Sequence, residues 1–368
     1  MATLFFQVIR IPARYEEIRE WLDWKRYKSV QRLPVGLQEK DWINKLIVNV
    51  VVTGSLGYDY IMDFPGRFAD RIMADNIHKI SLSFLVDKLS KQFGGTAGNI
   101  AYTLKLFGVE PFILSAAGND FAPYKKFLIS KRISTTHIKE YKDVSTGSYF
   151  VITDKDDNQI GSFYAGAMKY AKELSLALKG LTLSGKVRPY ENFIVIAPND
   201  PTAMKQYVKD CRKKSLPYLY DPAFQIDNFT PDELREGIEG AKILIGNDYE
   251  IDLIQDKLGI THEDLRVCGP IVITTLGPKG SIVETRYESI GIKPAKPKNT
   301  SDPTGAGDAY RAGFLAGYLR KFDLGVCGQM GSVAAVYTVE QYGTQTHSFT
   351  NKEFIARYRE NYGQAITL

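Results

Sequence analysis

From Leu46 onward the chain alternates short, unbroken apolar runs with longer amphipathic stretches, and this alternation restricts its fold more than any other feature. Strands apolar on both faces must be covered on both faces, which a parallel sheet between helical layers achieves. Ile47–Thr53, Phe112–Ala116, Phe193–Ala197, Tyr218–Tyr220, Ile243–Ile245 and Ile271–Thr275 are the expected central strands. The expected helices lie around Thr96–Phe107, Ala122–Lys131, Thr202–Lys214, Asp248–Leu258, Gly305–Arg320 and Leu324–Glu340. The pattern predicts an α/β fold with a doubly wound, mostly parallel sheet flanked by helices.

Two segments leave this plan, residues 58–93 and 147–164. Both show period-two alternation, and Asp154-Lys155-Asp156-Asp157-Asn158 is a strong turn signal in the second. They predict a small β lid apart from the main sheet. Residues 1–45 are mixed in charge and hold Trp21, Trp24 and Trp42, all the tryptophans of the chain. They are read as an N-terminal extension, either a helical arm or the product of a start codon assigned too far upstream, before a catalytic domain at 46–368. No chemistry-bearing motif lies in the extension, so a protein lacking residues 1–45 is expected to keep a cooperative melt and its activity. Loss of either would assign the tryptophans to the core or to an obligate interface.

Composition narrows the function. A formal net charge of +5 over 368 residues suits an anionic small molecule but is too small for a nucleic-acid footprint. Cys211, Cys268 and Cys327 are too scattered for a disulfide framework or a zinc site, which fits a reducing cytoplasm. The four histidines are equally scattered, so any metal is expected on oxygen ligands. The N-terminus lacks the basic region of a signal peptide, and no uninterrupted apolar run of about 18 residues occurs. A soluble protein with no membrane or nucleic-acid partner is expected.

The chemistry is most visible at Asp302-Pro303-Thr304-Gly305-Ala306-Gly307-Asp308-Ala309-Tyr310, which runs straight into an apolar helix pattern. A glycine-flanked turn at a helix N-terminus leaves aligned N–H groups free, an anion hole for a phosphoryl group. An acid directly after such a turn repels a phosphate, which is unhelpful for simple binding. As a base, Asp308 would take the proton of an accepting hydroxyl while the adjacent amides hold the oxygens in transit. The plainer reading is a favourable acid in a first helical turn.

Asp302–Tyr310, with Gly305-Ala306-Gly307-Asp308 at its centre, resembles the C-terminal signature of the PfkB, or ribokinase-like, kinases. Gly94-Gly95-Thr96-Ala97-Gly98-Asn99 resembles their first signature, and the two occur in the family's order over residues 46–349. The resemblance implies a ribokinase-like fold and transfer of the γ-phosphoryl group of ATP to a hydroxyl. It places Gly94, Gly95, Asn99 and Asp59 on the acceptor, and Asn247, Thr275, Gly277 and Gly280 on ATP. It assigns Glu250 of Asn247-Asp248-Tyr249-Glu250 to Mg2+, directly or through water. A monovalent cation and a monomer or homodimer also fit the family. Without it, Asn247 and Glu250 make a helix cap, and Thr275–Gly280 reads equally as a tight hairpin. Pro303 departs from the smaller residue many members carry; it stiffens entry to the turn.

Gly54–Phe68 and Ser162–Met168 look like an adenosine-kinase-like subgroup, which implies a nucleoside acceptor, adenosine first. Tyr58, Phe84, Phe150 and Tyr164 are candidates to stack on a purine or to form the lid core. The alternatives are a sugar or sugar-phosphate kinase and a non-catalytic binding protein of the same fold. The full set of Asp308, Gly305, Gly307, Asn247 and Glu250 argues against the last. No Gly-x-x-x-x-Gly-Lys-Ser/Thr motif is present, so a P-loop protein is excluded.

Overall fold

A computed structural model describes residues 49–72, 81–156, 158–178 and 192–368. The tryptophan-bearing segment 1–45 lies outside the described residues.

The described residues form two sheets. The larger is nine-stranded, in the spatial order Ser289–Ile292 (β13), Ser281–Glu284 (β12), Ile271–Thr275 (β11), Ile243–Asn247 (β10), Tyr218–Tyr220 (β9), Asn192–Ile196 (β8), Asn49–Thr53 (β1), Glu110–Ala117 (β4) and Ile138–Glu140 (β5). All pairings from β11 to β5 are parallel, and β12 and β13 close one edge antiparallel. The central strands are apolar through their middles because each buries both faces, with polar residues such as Asn49, Thr53, Asn192 and Asn247 at their ends. Val50, Val52, Phe193, Val195 and Ile245 face one core, and Val51, Ile194, Ile196, Tyr220 and Leu244 face the other. Successive residues alternate between the cores, as the strand period requires.

The first core is covered by Thr96–Leu106 (α1) and by Ala306–Leu319, while Pro201–Lys214, Pro231–Gly240 and Asp248–Leu258 cover the second. Ala122–Ser130 (α2) lies near the first, and Pro201–Lys214 to Asp248–Leu258 are α3 to α5; His262–Val267 is α6 and Ala306–Leu319 is α7. Leu324–Val339 (α8) and Asn351–Tyr362 (α9) complete the chain. All six expected helices and all six expected central strands form. The edge hairpin of β12 and β13, the short β5 and helices α4, α6 and α9 were not expected.

The smaller sheet has the order Lys88–Gly94 (β3), Gly57–Asp63 (β2), Gly147–Thr153 (β6) and Gln159–Tyr164 (β7). Its turn is held by Asp154, whose Oδ1 accepts from the amides of Asp156 and Asn158, both at 2.9 Å. Strand β7 is exposed along its whole length. Tyr58 and Phe84 belong to packing: Tyr58 is 1% exposed between Phe93 and Tyr124, and Phe84 sits edge-on to Phe64 and Phe68. Phe150, stacked on Tyr60 at 4.7 Å, and Tyr164 keep exposed faces.

Candidate active site

The carboxyl ends of parallel strands, where connections leave toward opposite faces, form the crevice in which such sheets bind ligands. Asn247 closes β10 and lies in register with Thr275, which closes β11; Asp221 follows directly on β9. Helix α7 is capped by Gly305, whose φ of 78° suits glycine. Asp302 fixes the approach to that turn: Oδ1 accepts from Thr304 N at 2.9 Å and Oδ2 from Gly343 N at 3.1 Å. Pro303 keeps the geometry, since its carbonyl accepts from Ala306 N at 3.2 Å. That bond occupies the Ala306 amide. The amides of Gly307 and Asp308, also in the first turn, have no carbonyl four residues back inside the helix and are the donors left for an anion.

Asp308 lies on that first turn with Oδ2 accepting from Asn99 Nδ2 at 2.8 Å. Burial pushes its carboxyl up to about 6, against the opposing pull of Arg311 and of the Asn99 bond. Asp59 on β2 is 7% exposed and pressed against Gly94, where an added Cβ would stand 2.1 Å from Asp59 Oδ2. Burial, then the charges of Asp308 and Asp302, push Asp59 up to about 7. Gly95 caps α1 at φ 85°, and a Cβ there would meet Ser55 O at 2.6 Å. Two carboxylates, Asn99 and the backbone of Gly94 and Gly95 thus meet in one pocket wall.

One turn further along α7, beside Asp308, is a charge cluster that sequence reasoning missed. Arg311 Nε stands 2.5 Å from Asp221 Oδ2, with Asp221 1% and Arg311 9% exposed. A Cβ on Gly307 would lie 2.7 Å from Arg311 Nη1, so the guanidinium lies directly against the turn. Burial alone lowers the proton affinity of Arg311, but Asp221, Asp308 and Glu250 raise it on balance. Glu250 is itself raised by burial and by Asp221. A signal for Arg311 existed: it is the lone charge between Ala309 and Gly317, a stretch of α7 buried throughout.

Asn247 and Glu250 form the full capping box of α5, each side chain bonding the other's amide at 2.8 Å. The cap engages only Oε2 of Glu250. Asp221 Oδ1, buried, has no hydrogen-bond partner. Among the described residues no three His, Cys, Asp or Glu side chains converge as a metal cage. This donor set fits Mg2+, which binds through one or two carboxylates while keeping waters and substrate phosphates. In the Thr275–Gly280 loop, a Cβ on Gly280 would strike Ile292 O at 2.1 Å, whereas Gly277, at φ 57°, has open space. Gly280 serves the turn into β12, and Gly277 is the position open to a ligand.

An acid at an open helix N-terminus, facing a second carboxylate across the ends of a parallel sheet, is the site plan of a ribokinase-like phosphotransferase. Residues 49–351 match the family described as pfkB family carbohydrate kinase, and the chain belongs to that family. It is therefore a kinase that acts on a hydroxyl acceptor, with ATP as the family's donor. A nucleoside kinase of Methanothermobacter thermautotrophicus is 32% identical over 319 residues, 86% of this chain and 97% of that protein. An ATP-dependent 6-phosphofructokinase of Thermoanaerobacterium thermosaccharolyticum is 28% identical over 277 residues, 71% of this chain and 83% of that protein. The solved structure of Burkholderia thailandensis nucleoside kinase in complex with ADP-inosine matches with a TM-score of 0.76 at 30% identity, covering 86% of this chain and 97% of that one. No helix among the described residues is long and apolar enough to cross a membrane.

Proposed function

We propose that the protein transfers the γ-phosphoryl group of ATP to a hydroxyl of a nucleoside, with adenosine and inosine the first acceptors to test and Asp308 as general base. The observation that carries this reading is Asp308 itself: one oxygen is tied to Asn99, the other is without such a bond, and its carboxyl is raised to about 6. Such a carboxylate is ionised at neutral pH yet basic enough to receive a proton as the new O–P bond forms. Asp308 Oδ1 accepts that proton while the acceptor oxygen attacks the γ-phosphorus and ADP leaves. The amides of Gly307 and Asp308 and the N-terminus of α7 hold the oxygens in transit. Arg311 adds positive charge behind the turn. Asp59, against Gly94, accepts from acceptor hydroxyls, and Asn247, Thr275 and Gly277 border the ATP side. Glu250 and Asp221 would hold Mg2+, which neutralises phosphate charge when bound.

Support for a nucleoside comes from the named relatives and from rings the packing leaves open. Phe163 on β7 and Phe224 in the short 3-10 helix after β9 are 42% and 57% exposed, with centroids 6.1 Å apart. Phe224 follows Ala223, held at a strained φ of 40°. Stacking on an aromatic ring is worth about 1–3 kcal/mol per base. Phe224→Ala is therefore expected to raise KM for nucleosides about tenfold while leaving any turnover of ribose unchanged. Equal loss on both acceptors would remove these rings from base recognition.

The acceptor class is tested by ADP release with Mg-ATP and a panel of nucleosides, ribose, fructose and fructose 6-phosphate. Nucleosides are expected to lead. A sugar or sugar phosphate at least tenfold better in kcat/KM, about 1.4 kcal/mol in transition-state binding, would overturn the assignment.

A further inference from the structure

A chain of hydrogen bonds leads from Asp308 into the interior and ends beside the acceptor glycines. Asn99 Nδ2 donates to Asp308 Oδ2, and Gln345 Nε2 donates to Asn99 Oδ1, each at 2.8 Å. The same Nε2 donates to the Tyr124 hydroxyl at 2.5 Å, whose own proton goes to Gly94 O at 2.9 Å. Gln345 is 4% exposed, Asn99 5% and Tyr124 fully buried. Gln345 lies outside every motif that marks the site, in the loop between α8 and α9.

Charge dictates the direction of this chain. An ionised carboxylate only accepts, so Asn99 must turn its nitrogen to Asp308 and its oxygen away. The amide that meets this oxygen must in turn present nitrogen, which fixes Gln345. The consequence is that Gln345 Oε1 is buried with no hydrogen-bond partner. A residue selected only to fill space would not leave a buried acceptor unpaired, because that is destabilising. A leucine or methionine fills comparable volume without it.

We propose that Gln345 is a positioning residue, which locks the Asn99 amide so that Asp308 presents Oδ1 to the acceptor hydroxyl. The proposal rests on the reading of Asp308 as the base. Without Gln345, the Asn99 amide is free to rotate, and Asp308 loses both its orientation and the bond that holds its proton affinity down.

The test compares Gln345→Leu, Asn99→Leu and the double variant with the full-length protein. Gln345→Leu is expected to lower kcat about tenfold, the worth of the Asn99–Asp308 hydrogen bond it sets free, and to leave KM for ATP unchanged. The acidic limb of its kcat profile should move to higher pH. Asp308 is faced by Asn99 from α1, by Arg311 on α7, by Asp221 after β9, and at longer range by Asp59 on β2 and Tyr124 on α2. Gln345→Leu leaves all of these in place, so a shift of the limb reports the lost amide orientation. The double variant should be no slower than Asn99→Leu, since the effect of Gln345 on Asp308 passes through Asn99. Gln345→Met serves as a second variant should Gln345→Leu fail to fold. Wild-type kcat and an unmoved limb, or a full additional loss in the double variant, would overturn the proposal. Asp308→Asn separates the failures: if it is inactive while Gln345→Leu is normal, only the relay is wrong; if it is fully active, the base assignment and the relay fall together.

Discussion

Asp308→Asn is expected to lower kcat by about 10²–10⁴-fold, the usual worth of a general base. The substitution keeps size and the bonding distance to Asn99 but removes the site that receives the proton. ATP binding should hold or tighten, because a negative charge beside the phosphates is lost. In the wild-type protein, kcat should fall as pH drops through about 6, where Asp308 protonates. Stability should move the other way. Asp308 and Asp59 bind protons more tightly when folded, at about 6 and about 7, than the ordinary carboxyl value of 3.8. Their favourable contribution is therefore complete below 3.8 and lost as pH rises through 6 to 7. At neutral pH both charges weaken the fold, so Asp308→Asn should melt higher than wild type while turning over far more slowly. This is the exchange of stability for activity expected where a charge is held in a buried site. A variant that kept more than about a third of wild-type kcat, far short of the loss a base implies, would remove Asp308 from proton transfer.

The second large effect is structural. Arg311→Met should destabilise the protein by about 3–5 kcal/mol, because it leaves Asp221 buried and uncompensated. Equilibrium denaturation reads this directly. Asp221→Leu/Arg311→Met removes both charges and should recover most of the loss, so the two substitutions will be strongly non-additive. Additive losses would mean that the 2.5 Å pair is not a coupled unit. Arg311→Lys should fold better than Arg311→Met yet turn over slowly, because an ammonium cannot reproduce a guidinium's planar contact beside Gly307 and Asp221.

The parts of the site legible in the sequence were those in which one short segment carries both conformation and chemistry. Gly305, Gly307 and Asp308 specify a helix N-terminus and its acid together. The central strands were legible because burial on both faces leaves them runs of apolar residues, and β12, with Ser281 and Glu284 at its ends, and the edge strand β13, mostly exposed, gave no such run. Helix α9 had a readable start in Thr350 and Glu353, whose capping box forms. The unread part is relational. Asp221 looks like any acid before a proline until β9 places it against Arg311, and Gln345 carries no local signal. Its role exists only because α1, α2 and the α8–α9 loop converge on Asn99. The motif reading put Asn99 on the acceptor; its amide nitrogen, which carries two N–H donors, also gives one of them to Asp308.

The most direct test of the central claim is to incubate the purified protein with Mg-ATP and a nucleoside and to measure ADP and the phosphorylated product together by chromatography and mass spectrometry. Equal amounts of ADP and nucleoside monophosphate are expected, both formed at least about 10²-fold more slowly with Asp308→Asn. ADP with free phosphate and no nucleoside monophosphate, or transfer confined to sugars, would contradict the claim.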